Sequence, residues 1–176
     1  MASNFPFVSD LVLRENLDIA FNHILDLIPF SESKSYSDLA KSSFRKTVII
    51  YTASIIEALL LYLLEKKYTK EDLVIYKWDF TNKIVLHEVT DSHQIIAGDY
   101  MKNPEKIKFE KLNLGNINNF LKAKDCIEDE LFKKIDRVRQ LRNEQHIGIH
   151  KEIKDYTKAD LEFVFSVAKE VKKLFT

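Results

Sequence analysis

The longest apolar run in the chain, Val48 to Leu64, contains one charged residue, Glu57, and is flanked by Arg45 and Lys46 on one side and Lys66 and Lys67 on the other. Such a run folds as a helix that either crosses a bilayer or lies at the centre of a helical bundle. A carboxylate at mid-membrane costs about 2.5–3.5 kcal/mol on insertion scales. The run also falls short of the ~20 residues that a bilayer core requires. Both arguments favour a central helix that is apolar nearly all round and packed inside a bundle, with no membrane contact. Glu57 then needs a partner inside the fold, because an ionised carboxylate in apolar surroundings is costly unless it is paired.

Around this run the pattern predicts a mainly helical chain. Residues 9–28 form a first helix, with Ser9 as N-cap, Pro29 as its stop, and Leu13, Leu17, Ala20, Phe21, Ile24 and Ile28 facing inward. The central helix runs from about Ser35 to Lys67, with Ser42-Ser43 as a place for a kink. From Leu73 to about Lys111 the pattern changes. Val74, Tyr76, Trp78 and Phe80 alternate with more polar neighbours, and Thr81-Asn82 offers a turn before Ile84-Val85-Leu86, a β-hairpin signature. His93 to Gly98 and Ile107 to Phe109 are further strand candidates, interrupted by Gly98, Asn103 and Pro104. Helical spacing returns over Asn116–Lys124 and Asp129–His146, with Gly148 placed to end the latter. The last helix opens on Thr157 and Asp160 and continues through Leu161, Val164, Phe165, Ala168, Val171 and Phe175. The chain, residues 1–176, thus reads as a single helical domain with a β-rich insertion at about 73–111.

The 176 residues, 45% of them hydrophobic with 12 Phe and 7 Tyr, suffice for a sizeable core. Lys plus Arg and Asp plus Glu balance at 27 each, so the chain lacks the basic excess of a protein that coats duplex nucleic acid, and any nucleic-acid contact must be local. The single cysteine, Cys126, excludes an internal disulfide and gives no zinc pattern. With no leader pattern at the amino terminus, this points to the cytoplasm. Gly98, Gly115 and Gly148 are too scattered to form a phosphate-binding loop.

The chemistry-bearing stretch is Arg139-Gln-Leu-Arg-Asn-Glu-Gln-His146, followed by Ile-Gly-Ile-His150. At ~100° per residue, positions 139, 142, 143 and 146 share one helical face. The preceding turns carry an apolar stripe through Leu131, Ile135, Val138 and Leu141, which projects forward towards Arg142 and Gln145, with His146 at its edge. Arginines in a helix interface lose hydration unless an anion meets them, so either a carboxylate of this chain or a phosphate-bearing partner is expected there. Within the chain, Glu57 is the available carboxylate.

Arg142-Asn143 and His146, on a helix that precedes a final amphipathic helix, together with Ile55-Ile-Glu-Ala-Leu-Leu60 in the apolar second helix, resemble the HEPN superfamily. The likeness covers the helical majority of the chain and leaves out the hairpin. Only three residues separate Arg142 from His146, fewer than is usual in the family, whereas Arg139 lies at an interval of six. Both spacings keep an arginine on the face of the histidine. The resemblance implies a HEPN-like bundle of four to five helices. It also implies a metal-independent endoribonuclease acting in defence or in a toxin–antitoxin system, with no cofactor, RNA or a nucleotide as ligand, an antitoxin protein as a further partner, and two copies of the motif meeting across a homodimer.

The residue types suit that reaction. A histidine with an unperturbed pKa of ~6.5 exchanges protons near neutrality with a ribose 2′-hydroxyl or a departing 5′-oxygen. An arginine clamps the nonbridging phosphate oxygens as negative charge builds up. His146 is thus the candidate acid/base, Arg142 and Asn143 complete the catalytic set, and Arg139 and His150 are candidates for holding the RNA phosphate. Two alternatives stand beside it: a noncatalytic dimerisation module that binds RNA, a nucleotide or a protein, and a purely structural cluster. In the structural case, cations in the last turn answer the helix dipole, worth ~0.3–1 kcal/mol each, and pair with Glu57. Elsewhere, His87 and His93 match no zinc spacing, His23 reads as a core or boundary histidine, and Trp78-Asp-Phe80 reads as a base-stacking pair or, more simply, as aromatics packed on a core.

Overall fold

The structure, a computed structural model, describes residues 2–69, 71–106, 109–144 and 155–175. Among them are five α-helices and one antiparallel hairpin: α1 (Leu11–Glu32), α2 (Asp38–Lys67), β1 (Val74–Thr90), β2 (His93–Lys106), α3 (Leu114–Ala123), α4 (Asp129–Asn143) and α5 (Lys158–Lys172). The protein is therefore mainly helical. By contacts it divides into two compact units, a helical one of Met1–Lys66 and Asn113–Thr176 and a hairpin one of Lys67–Leu112.

In the helical unit α2 contributes the most buried residues. Val48, Ile49, Ala53, Ile56, Leu59, Leu60 and Leu64 are all essentially inaccessible to solvent. Asp38–Lys67 is the one helix among the described residues long and apolar enough to cross a membrane, and most of its apolar window is covered by protein. The rest of the core comes from Leu17 and Ile24 of α1, Ile117 and Leu121 of α3, the stripe Leu131, Ile135, Val138 and Leu141 of α4, and Leu161, Val164, Val167 and Val171 of α5. Each such side chain contributes roughly 1.5–3 kcal/mol when fully buried.

Helix ends follow local chemistry. Asp10 rather than Ser9 caps α1, its carboxylate accepting from Leu13 N–H at 3.0 Å, while Ser9 is drawn away to the Tyr62 hydroxyl, to which its N–H donates at 2.9 Å. Pro29 does not stop α1, which runs three residues further to Glu32. A proline removes one hydrogen bond and crowds the carbonyl four residues back, a cost the helix accepts in its final turn, where buried Ser31 anchors the end. α2 passes through Ser42-Ser43 unbroken: Ser43 Oγ donates to Leu39 O at 3.0 Å, and the Ser42 hydroxyl accepts the Tyr156 N–H at 2.8 Å. α3 ends in a two-bond Schellman arrangement, Cys126 N–H to Leu121 O and Asp125 N–H to Lys122 O, with Asp125 in the left-handed region at φ 52°. α5 opens on a full capping box between Thr157 and Asp160. α4 is described to Asn143 with Glu144 as its cap. Its expected continuation to His146, and the stop at Gly148, lie outside the described residues.

The hairpin departs from the sequence expectation at its turn. β1 continues straight through Thr81-Asn82, and the reversal comes at Asp91-Ser92. Asn82 takes φ 51° as part of a bulge between the pairs Thr81↔Asp99 and Ile84↔Ala97. Bulges and tight turns both call for left-handed residues, so an Asn in a β pattern signals either. Pro104 does not break β2, because each strand of a two-stranded ribbon has a free edge where a missing N–H is harmless. Phe109 belongs to a short 3-10 turn, Phe109–Lys111, rather than to a third strand.

Candidate functional site

Helix α4 places its charged end by the same periodicity that buries its stripe. Leu141 is buried, so the next residue, Arg142, leaves the helix beside α2, where it meets Glu57. Arg142 Nη1 donates to Glu57 Oε2 in a short ion pair that joins residues 85 apart in sequence. The carboxylate interrupting the apolar run is thus answered by the arginine at the end of α4. The pair sits at the rim of the core, with the Arg142 and Glu57 side chains 32% and 22% exposed. An arginine has five donors, and one of them is committed to Glu57.

Arg139 faces another neighbour. Its Nε donates to Asp136 Oδ1 at 2.7 Å, and Gln140 Nε2 donates to the other oxygen of the same carboxylate at 2.9 Å. The stem of Arg139 lies against Gly115 in the first turn of α3, where a Cβ would stand 3.2 Å from Arg139 Cδ. Gly115 therefore opens the space that the Arg139 stem occupies. Each arginine is oriented by one carboxylate, Arg142 against α2 and Arg139 against α3. Asn143 is exposed. The structure brings Arg142 together with Glu57; the remaining candidates of the motif, His146 and His150, lie outside the described residues.

Three polar contributors escaped the sequence reading. Asp136 was legible in principle, because an Asp three residues before an Arg faces it on a helix. Ser42 and Arg45 were not. Beyond the Ser42 bond to Tyr156 N–H, Arg45 Nη1 donates to Tyr156 O at 3.3 Å and Nη2 to Ser31 O at 3.0 Å. These contacts fix buried Tyr156, where the chain re-enters the described fold before α5, onto the first half of α2. α2 thus holds the chain on both sides of the segment containing His146, at Glu57 through Arg142 and at Ser42 and Arg45 through Tyr156.

The other polar candidates remain apart. His23 is exposed, with its ring set edge-on to Tyr51 at 5.4 Å. His87 and His93 pair across the hairpin with Ile95 and Thr90. Among the described residues no three His, Cys, Asp or Glu side chains gather as metal ligands would. The half-buried Cys126 thiol lies 3.6 Å from Lys124 O. An open cavity of about 730 Å³ between the α3–α4 connection and the end of α5 is lined by Lys122, Glu130, Lys134 and Glu170 among others, and its charges are largely matched to one another. No family profile matches the chain, and no curated protein or solved structure matches it either.

Proposed function

We propose that the chain is a HEPN-like helical domain, cytoplasmic and homodimeric, that cuts RNA through the RNA's own 2′-hydroxyl without a metal ion. The observation that supports this most is the orientation of Arg142. A guanidinium fixed by a carboxylate on a neighbouring helix, yet one-third exposed, keeps donors available for a phosphate. Pre-organised donors aimed at developing charge are usually the largest contribution to catalysis. In this scheme one His146 takes the 2′-hydroxyl proton as the 2′-oxygen attacks phosphorus, and the His146 of the second copy protonates the departing 5′-oxygen. Arg142 neutralises the nonbridging oxygens, Asn143 orients the phosphate or the imidazole, and Arg139 and His150 extend the hold on the RNA backbone. The products are a 2′,3′-cyclic phosphate and a 5′-hydroxyl. Defence or toxin–antitoxin biology, with an antitoxin protein as partner, follows from the family resemblance.

A second reading, a noncatalytic module binding RNA or a nucleotide, has an observation in its favour as well: Glu57 already answers the Arg142 charge within the chain. The two separate in a single-turnover assay on single-stranded RNA. The ribonuclease reading predicts cleavage by the wild-type protein. His146→Ala and Arg142→Ala each lose most of it while keeping the helical circular-dichroism signal, and the double variant loses little more. Wild-type protein that binds RNA across pH 6–8 without cutting it selects the binding module.

A further inference from the structure

Two aromatic residues of the hairpin stand open to solvent. Trp78 and Tyr100 are 58% and 63% exposed, and their rings stack on each other at 5.1 Å with an interplanar angle of 17°. Phe80 extends the row, with its ring centroid 6.4 Å from that of Tyr100. The register explains why the three share a face. Trp78 pairs with Lys102 and Phe80 with Tyr100, and residues opposite one another or two apart point to the same side of a ribbon. Gly98 lies on this face too, and a Cβ there would meet Thr81 O at 2.6 Å and the Phe80 ring at 3.0 Å, so glycine is what lets Phe80 lie across the strand. The other face carries the acids of this stretch, Asp79 and Asp99, with Asp99 bound by Asn82 Nδ2 at 2.7 Å. Lys102 therefore shares the side of the rings, and Asp79 and Asp99 lie on the other.

We propose that the strip Trp78, Tyr100 and Phe80 is a stacking platform for the bases of single-stranded nucleic acid, with Lys102 beside it for the phosphate. The exposed rings of Trp78 and Tyr100, continued by half-buried Phe80, suit bases of any sequence, because every base has a π face, and Lys102 on their side with Asp79 and Asp99 on the other favours an anionic ligand over a cationic one. The inference rests on the hairpin unit alone and is independent of RNA cleavage by the helical unit.

Trp78 is the only tryptophan of the chain, so its emission reports on this face without interference. The full-length protein is titrated with a 2′-O-methyl oligouridylate, which cannot be cut by its own 2′-hydroxyl, so the readout stands whether or not the helical unit is a nuclease. The proposal expects saturable quenching of Trp78, about ten-fold or more weaker binding for Tyr100→Ala, and near wild-type binding for Tyr100→Phe, which keeps the ring. Absence of quenching overturns it. So does an emission shift that follows protein concentration with no oligonucleotide present, which would show that a second copy covers the strip, and so does equal binding by Tyr100→Ala.

Discussion

At the scale of single residues, Glu57 and Arg142 make each other intelligible. A carboxylate inside an apolar run and an arginine at the end of an apolar stripe are each expensive alone, and the fold joins them. This much of the site was legible in the sequence, because a lone charge in apolar company demands a partner. The division of labour between the arginines was not. Periodicity puts Arg139 and Arg142 on one face, but whether a long side chain leans to α2 or to α3 depends not only on Asp136, one turn back on the same helix, but on Gly115, which acts through space. A double-mutant cycle tests the pairing. Glu57→Gln and Arg142→Met should each lower the urea midpoint, with a coupling of about 1 kcal/mol between them, as expected for contacting partners at a core rim. Additive losses would mean that the pair contributes nothing as a pair.

At the scale of elements, the helices with strong periodicity were readable and the exceptions have local causes. Pro29 and Thr81-Asn82 are genuine breaker signals, but a helix in its final turn tolerates the first and a bulge uses the second. The contact between α4 and α5 gives a pH test. Lys134 bridges Glu130 at 2.7 Å and Glu170 at 2.9 Å. The hydrogen bond from Lys134, and then its charge, hold the Glu130 carboxyl below its ordinary value of 4.5. Hydrogen bonds to Glu130 and Glu170 raise the Lys134 ammonium above 10.5. A lowered carboxylate contributes stability that is present above its unfolded pKa and is lost as pH falls through its folded value, whereas a raised lysine loses its contribution only as pH rises past 10.5. The melting temperature should thus be level in this respect between about pH 5 and 10 and fall on acidification. Lys134→Met should make the acid fall shallower. An unchanged acid limb in that variant would remove this bridge from the account.

At the scale of the whole molecule, the mainly helical character, the central α2 and the inserted ribbon were all visible in the pattern of apolar residues. The exposure of Trp78 and Tyr100 was not, since alternation shows which residues share a face and not whether anything covers that face. The proposed composite site also requires two copies, because one His146 cannot serve both proton transfers in a single turn. Light scattering should return the mass of a dimer at micromolar protein without RNA, and a strict monomer would count against the scheme. The most direct test of the central claim is the chemistry of the cut ends. With EDTA present at pH 7, a single-stranded RNA incubated with the wild-type protein should yield 2′,3′-cyclic phosphate and 5′-hydroxyl ends, and replacing the ribose at the cut site by 2′-deoxyribose should abolish that cut. RNA that remains intact, or that is cut to 3′-hydroxyl and 5′-phosphate ends, would contradict the claim that Arg142 and His146 form a 2′-hydroxyl-dependent ribonuclease site.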